Sequence, residues 1–181
     1  MKHISEIKLI VMDVDGTLTN GQITYDNNDG ETKSFHAGDG LGIVMALSVG
    51  LICAVITGRS SGAVTKRMKE LGIEDEDVLQ NVADKASAVR ELMEKYAVTV
   101  EQTAFIGDDI NDLPAFGQVG TKIAVGDAAS IVRHAADMIA TKPGGYGAVR
   151  EIIEEILRSQ GRLDDGMEIY LARRTKGTVG Q

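Results

Sequence analysis

Two aspartates two residues apart, Asp13 and Asp15, stand where an apolar run over about residues 8–12 gives way to Gly16-Thr17-Leu18. In an extended chain residues i and i+2 share a face. Both carboxylates therefore project the same way at the point where the strand stops. Like charges held that close repel unless a cation or a shared proton lies between them. An acidic turn after a buried strand would need only one Asp before the Gly, so the pair points to chemistry on an anion with a bound metal. Further parts follow in order along the chain. Leu51–Ile56 ends in Thr57-Gly58-Arg59-Ser60, and Lys85 opens a helical pattern directly after a possible N-cap at Asp84. Thr103–Ile106 then runs into Gly107-Asp108-Asp109-Ile110-Asn111-Asp112.

Phosphoryl transfer asks for a nucleophile, a counter-charge for the phosphate and a proton for the leaving group. Asp13 suits the first role, as a carboxylate that becomes an aspartyl phosphate. Asp15 suits the third: protonated, it gives its proton to the departing alkoxide and then activates water. The Thr57 hydroxyl and the Lys85 ammonium suit the transferring oxygens, whose charge they would offset. Each has a blander alternative. Lys85 alone is an ordinary solvated helix residue, Thr57-Gly58 alone a strand-to-helix turn with Ser60 as N-cap, and Asp112 a cap for the helix after the third strand. Asp109 and Asn111 suit a supporting role through water.

The elements that must position these residues alternate. Strand-like runs recur near residues 8–12, 51–56, 103–106, 121–125 and 137–140. Helical patterns lie at about 40–48, 60–71, 84–96, 111–118, 128–135 and 145–159. This order predicts an α/β fold, a doubly wound parallel sheet covered on both faces. Right-handed crossovers put every strand C-terminus on one edge, the edge where open α/β sheets bind ligands. Asp13, Thr57 and Asp108 all fall there. Residues 21–36 interrupt the alternation and read as a β-hairpin with a polar Gly turn. Neither gap between motifs can hold a cap domain of ~50 residues or more. The expectation is one catalytic domain over residues 1–181, with an irregular tail over about 161–181. Gly144-Gly-Tyr-Gly147 reads as a flexible turn opening the last helix, since it lacks the Lys-Ser/Thr ending of a phosphate loop.

A formal net charge of -8 and 4% aromatic residues exclude a basic, base-stacking surface, so nucleic acid and anionic membrane are not expected partners. No apolar stretch approaches the ~20 residues that cross a bilayer, and the N-terminus lacks a signal-peptide core. The single cysteine, Cys53, sits in an apolar strand run and reads as a buried structural thiol. A cytoplasmic protein is expected. His3, His36 and His134 show no metal-ligand spacing.

The ordered set of Asp-x-Asp, Thr, Lys and Gly-Asp-Asp resembles the haloacid dehalogenase superfamily of phosphotransferases, and implies that fold type without a cap. The resemblance also implies a Mg²⁺ cofactor held by Asp13, the backbone carbonyl of Asp15, and Asp108. The hairpin, the absent cap and residues 144–151 further resemble the 3-deoxy-D-manno-octulosonate 8-phosphate phosphatases, over residues 7 to about 163. The nonulosonate 9-phosphate phosphatases are similar and remain an alternative. Members of this group form homotetramers in which neighbouring subunits close each site. The resemblance thus implies a small phosphorylated sugar-acid substrate, a role in lipopolysaccharide biosynthesis, and Asp15, Gly58, Arg59, Arg67, Lys85 and Asp39 as substrate-binding residues. Arg59 and Arg67 are expected on one helix, ~80° apart around its axis. Gly38 and Val44 stand where the family carries two more arginines, which leaves the particular sugar open. A receiver-type phospho-Asp signalling module is the rival from another class, but its acceptor sits on a later strand.

Overall fold

A computed structural model describes residues 4–25, 27 and 30–175. His3 and the side chains of the basic stretch 173–176 lie outside the described residues. After a 3-10 turn at Ile4–Glu6 the chain runs β1 (Leu9–Met12), β2 (Thr24–Tyr25), β3 (Glu31–Thr32), α1 (Ala37–Ser48), β4 (Ile52–Ile56), α2 (Gly62–Leu71) and β5 (Val78–Leu79). It continues through α3 (Lys85–Tyr96), β6 (Thr103–Gly107), a 3-10 turn at Ile110–Asp112, α4 (Leu113–Phe116), β7 (Thr121–Ala124), α5 (Ser130–Ala135), β8 (Met138–Ile139), α6 (Ala148–Ser159) and α7 (Leu163–Thr175). Six strands form one parallel sheet in the order β5-β4-β1-β6-β7-β8. β2 and β3 pair separately and antiparallel.

The alternation read from sequence is the alternation observed. β1, Leu-Ile-Val-Met, is buried at every position, as a central parallel strand covered on both faces must be. The chain leaves β1 toward β4 and β5, then returns to β6 on the other side, so loops after β1 and β6 diverge to opposite faces. That divergence opens a crevice at the strand C-termini. Pairing of Met12 with both Val55 and Ile106 puts the three strand ends level. Asp13, Thr57 and Asp108 follow within two residues of those partners.

α1, α6 and α7 pack together on one face, and α3, α4 and α5 associate on the other. α6 buries Ala148, Val149, Ile152, Ile153, Ile156 and Leu157, the stripe of an amphipathic helix laid on a core.

One expectation needs correction, and some details differ. Residues 163–175 are helical, not irregular. Gly161 at φ +66° ends α6, after which Leu163, Ile169 and Tyr170 lean on the core and α7 packs against α1 and α6. The apolar positions are too few, and Gly166 too poor a helix former, for periodicity to reveal it. The expected hairpin is present, pairing over two residues per strand, Thr24 with Thr32 and Tyr25 with Glu31, and part of its turn lies outside the described residues. β5 was not anticipated, because two residues carry no alternation. A further difference affects α2: it begins at Gly62 with Ser61, not Ser60, as N-cap. Arg59 therefore lies in the turn before α2, and the helical angle to Arg67 does not apply.

Candidate active site

β1 ends at Met12, and Asp13 is its first residue beyond, tied to the sheet by its N–H on Ile106 O at 3.0 Å. The chain then coils tightly: the Leu18 and Thr19 N–H groups return to Val14 O at 2.9 and 3.0 Å. Gly16 is required twice over in this turn. Its φ is +99°, and a Cβ there would lie 2.1 Å from Asp108 Oδ2.

Three carboxylates meet behind this turn. Oxygens of Asp13, Asp108 and Asp112 all lie within 4.8 Å of one another. Lys85, the first residue of α3, is only 3% exposed and donates to Asp13 Oδ1 and to Asp112 Oδ1, each at 2.6 Å. Its helix starts where the sequence indicated: Asp84 accepts the Ser87 N–H at 3.1 Å, which holds the Asp84 carboxyl below its usual range. Thr17 Oγ1 donates to Asp108 Oδ1 at 3.0 Å.

The electrostatics follow from burial. Asp13 is pushed above the ordinary carboxylate range by desolvation and then by Asp112, against the attraction of Lys85. Asp108 is pushed up by desolvation, then by Asp13 and Asp112. Burial alone would lower Lys85, but the two aspartates outweigh it and raise it. One ammonium among three crowded carboxylates leaves negative charge uncompensated. An all-oxygen donor set of that kind fits a hard divalent cation such as Mg²⁺. Asp13, Asp108 and Asp112 would hold it here. The Asp15 side chain lies outside this cluster.

Asp15 occupies the opposite side of the turn. One oxygen accepts from Lys33 Nζ and the other from Thr57 Oγ1 at 3.5 Å. Thr57 Oγ1 in turn accepts the Arg59 N–H at 3.2 Å, so Gly58 carries a turn that curls over the threonine. The Arg59 guanidinium donates to Glu31 and to the Tyr25 hydroxyl at 3.2 Å, both on the hairpin. Arg67 is not brought to the cluster: it pairs with Glu70 of its own helix at 3.3 Å and lies across Gly40. Asp39, 1% exposed, accepts the Gly147 and Arg150 N–H groups at 3.2 and 2.8 Å and so anchors the start of α6. Asp109 and Asn111 are exposed, and Asp109 caps its own 3-10 turn through the Ile110 N–H at 2.7 Å. Glycine loop 144–147 opens α6, as expected, and is anchored on the turn after β1. Gly145 N–H reaches Thr17 O at 3.1 Å, and a Cβ on Gly144 would sit 1.7 Å from Gly16 O. Neither His36, at the start of α1, nor exposed His134, on Ser130 O at 2.6 Å, joins the cluster.

Two groups escaped the sequence reading. Asp112 does cap, taking the Asp108 and Asp109 N–H groups at 2.9 and 3.3 Å, but its other oxygen belongs to Lys85 and the acidic cluster. Helical spacing could not have signalled it, since Asp109 is extended and Ile110–Asp112 is a 3-10 turn, so no α-helical turn relates Asp112 to Asp108. Lys33 escaped as well. It shares a strand face with Glu31, and that face looks into the site.

A model of the haloacid dehalogenase-like hydrolases matches residues 75–153. A 3-deoxy-D-manno-octulosonate 8-phosphate phosphatase of Haemophilus influenzae is 44% identical over 161 residues, 89% of this chain and 88% of that protein. Among solved structures, a haloacid dehalogenase (subfamily IIIA) hydrolase of Legionella pneumophila superposes with TM-score 0.91 at 36% identity, over 94% of this chain and 93% of that one. The octulosonate 8-phosphate phosphatase of Moraxella catarrhalis, solved with magnesium, phosphate and 3-deoxy-D-manno-octulosonate, superposes with TM-score 0.88 at 42% identity, over 93% and 96% of the two chains. With this sheet, this acidic cluster and relatives matching along almost the whole length, the chain belongs to the haloacid dehalogenase-like hydrolases, in the group of the 3-deoxy-D-manno-octulosonate 8-phosphate phosphatases.

Proposed function

We propose that the protein is a Mg²⁺-dependent phosphatase that hydrolyses a phosphorylated 2-keto sugar acid, 3-deoxy-D-manno-octulosonate 8-phosphate above others, through an aspartyl phosphate on Asp13. The observation that carries this reading is the buried Lys85 bridging Asp13 and Asp112 beside Asp108. It keeps a carboxylate charged and aimed at the crevice, next to an oxygen cluster suited to a cation.

Asp13 attacks phosphorus as the ester P–O bond breaks, and Asp15 passes its proton to the departing sugar oxygen. Asp15 then takes a proton from water, which attacks the acyl phosphate and frees phosphate and Asp13. Thr57, with the Gly58 turn, and Lys85 hold the non-bridging oxygens. When bound, Mg²⁺ supplies charge compensation for phosphate oxygens facing the carboxylates. Asp109 and Asn111 support the cluster from outside, through water. Arg59 serves the sugar acid's anionic groups. Arg67 and Asp39 lie away from the cluster. Asp39 acts by shaping the α1–α6 edge of the site, and Arg67 acts in a neighbouring subunit's site within a homotetramer. Among the described residues no cap covers the crevice of a single chain to exclude water, which supports that assembly. No described helix is long and apolar enough to cross a membrane. The buried lone thiol of Cys53 supports a reducing cytoplasm as the place of action.

The test is phosphate release from octulosonate 8-phosphate, a nonulosonate 9-phosphate and neutral hexose phosphates, each with Mg²⁺ and with excess chelator. Metal-dependent turnover favouring the octulosonate ester supports the reading. Failure to release phosphate from any of them would remove it.

A further inference from the structure

The hairpin does more at the site than border it. Lys33 lies just beyond β3, and its side chain is 1% exposed, although no apolar role needs a lysine there. Its ammonium is held between two carboxylates, Asp15 on the motif turn and Glu31 at 2.9 Å on its own strand face. Glu31 also takes the Arg59 guanidinium. Asp15, Lys33, Glu31 and Arg59 thus form a chain of alternating charge from the proposed proton donor to the hairpin base.

An ammonium offers three hydrogens and no lone pair. The Asp15 oxygen that Lys33 holds, Oδ1, can therefore only accept. When Asp15 carries a proton, that proton must ride on Oδ2, the oxygen on the Thr57 side. Thr57 belongs to the strand edge where the phosphate is handled, so Lys33 both turns the carboxyl and selects the oxygen that donates. Without Lys33, Asp15 would keep, among the described residues, only the 3.5 Å contact with Thr57, too long to fix a rotamer.

We propose that Lys33 is a positioning residue for the acid/base step. It is carried by the hairpin and holds Asp15 so that its free oxygen delivers the proton to the leaving group. This rests on the phosphatase reading. The step it serves is balanced: the Asp13–phosphorus bond forms, the ester P–O bond breaks, and the Asp15 proton goes to the departing oxygen.

The experiment is single-turnover release of the leaving group by the full-length Mg²⁺ enzyme, comparing octulosonate 8-phosphate, an alkyl ester, with p-nitrophenyl phosphate. The second leaving group needs no proton. The readout is the ratio of the two rates in one protein sample, so any loss of folded protein cancels. Lys33→Met should lower the ratio by about tenfold or more, within the range that general acid catalysis spans, and Lys33→Arg should restore most of it. Asp15→Asn should lower the ratio at least as far, and adding Lys33→Met to it should change the ratio little further, because both act through one proton. An unchanged ratio in Lys33→Met beside a lowered one in Asp15→Asn would overturn the role of Lys33 and leave the phosphatase reading standing. Effects that multiply in the double variant would overturn that role equally. No release from either ester by the wild type would instead remove the phosphatase reading itself.

Discussion

Replacing Lys85 with Met exposes the electrostatic logic of the site, because the side chain keeps its length and loses its charge. In the folded protein this lysine is the shared partner of Asp13 and Asp112, both nearly inaccessible to water. Removing one member of a buried ion pair typically costs about 3–5 kcal/mol, since the remaining charge is left uncompensated. The carboxylates have one escape: taking up a proton, at about 1.4 kcal/mol per pH unit above their ordinary pKa. Near pH 7.5 that route costs about 5 kcal/mol, so it caps the penalty without removing it. For a chain of this size each kcal/mol moves the melting temperature by ~2–4 °C. Lys85→Met in chelator should therefore melt ~6–20 °C below the wild type. The sign with pH follows. Asp13 is already raised by burial and Asp112, and losing Lys85 raises it further. An acid raised above its unfolded value destabilises once pH exceeds that unfolded value, and the penalty shrinks again as pH falls. The deficit should accordingly be larger at pH 8 than at pH 5.5. Saturating Mg²⁺ should stabilise the variant at neutral pH by RT ln(1 + [L]/Kd), about 2.7 kcal/mol at a hundred times Kd. Thermal unfolding by circular dichroism over pH, with and without Mg²⁺, reads all three effects. Melting within ~2 °C of the wild type in chelator at pH 8 would refute the premise that Lys85 holds the cluster together.

Asp13→Asn should leave the fold intact and abolish turnover, a loss worth several kcal/mol of barrier at ~1.4 per tenfold; steady-state phosphate release beside a circular dichroism spectrum checks it. Gly16→Ala should reduce both Mg²⁺ affinity, by calorimetry, and stability, because the new Cβ collides with Asp108 and φ +99° suits no alanine. Cys53, whose thiol burial pushes up to about 12, should resist aromatic disulfide reagents at pH 8 in the native state and react at once in denaturant.

The sheet was legible because its strands are short, apolar and β-branched while the helices between them carry 3.6-residue stripes. Asp13, Thr57 and Asp108 were legible because strand ends in such a sheet are level, so three loops distant in sequence become neighbours. Lys85 followed from its place after the Asp84 cap. What stayed hidden depends on contacts that no periodicity encodes. Asp112 looked like a cap and is one, yet its second oxygen reaches Lys85 only because the turn at 110–112 folds back over Gly107. Lys33 follows a strand of only two paired residues, too short to show which face looks inward. α7 was missed since its few apolar residues matter only against α1 and α6. The loop at 144–147 looked loose because the close approach to Gly16 that demands its glycines involves a segment more than a hundred residues away.

The covalent step is the centre of the mechanism, and one measurement addresses it directly. Substrate labelled in its phosphate would be mixed with enzyme and Mg²⁺ and quenched in acid within a single turnover. Protein-bound label would then be mapped by peptide mass spectrometry. A base-labile acyl phosphate should appear on the peptide that contains Asp13, rise and fall with product formation, and vanish in Asp13→Asn. Full product formation with no protein-bound phosphate at any time, or label on a peptide without Asp13, would contradict it.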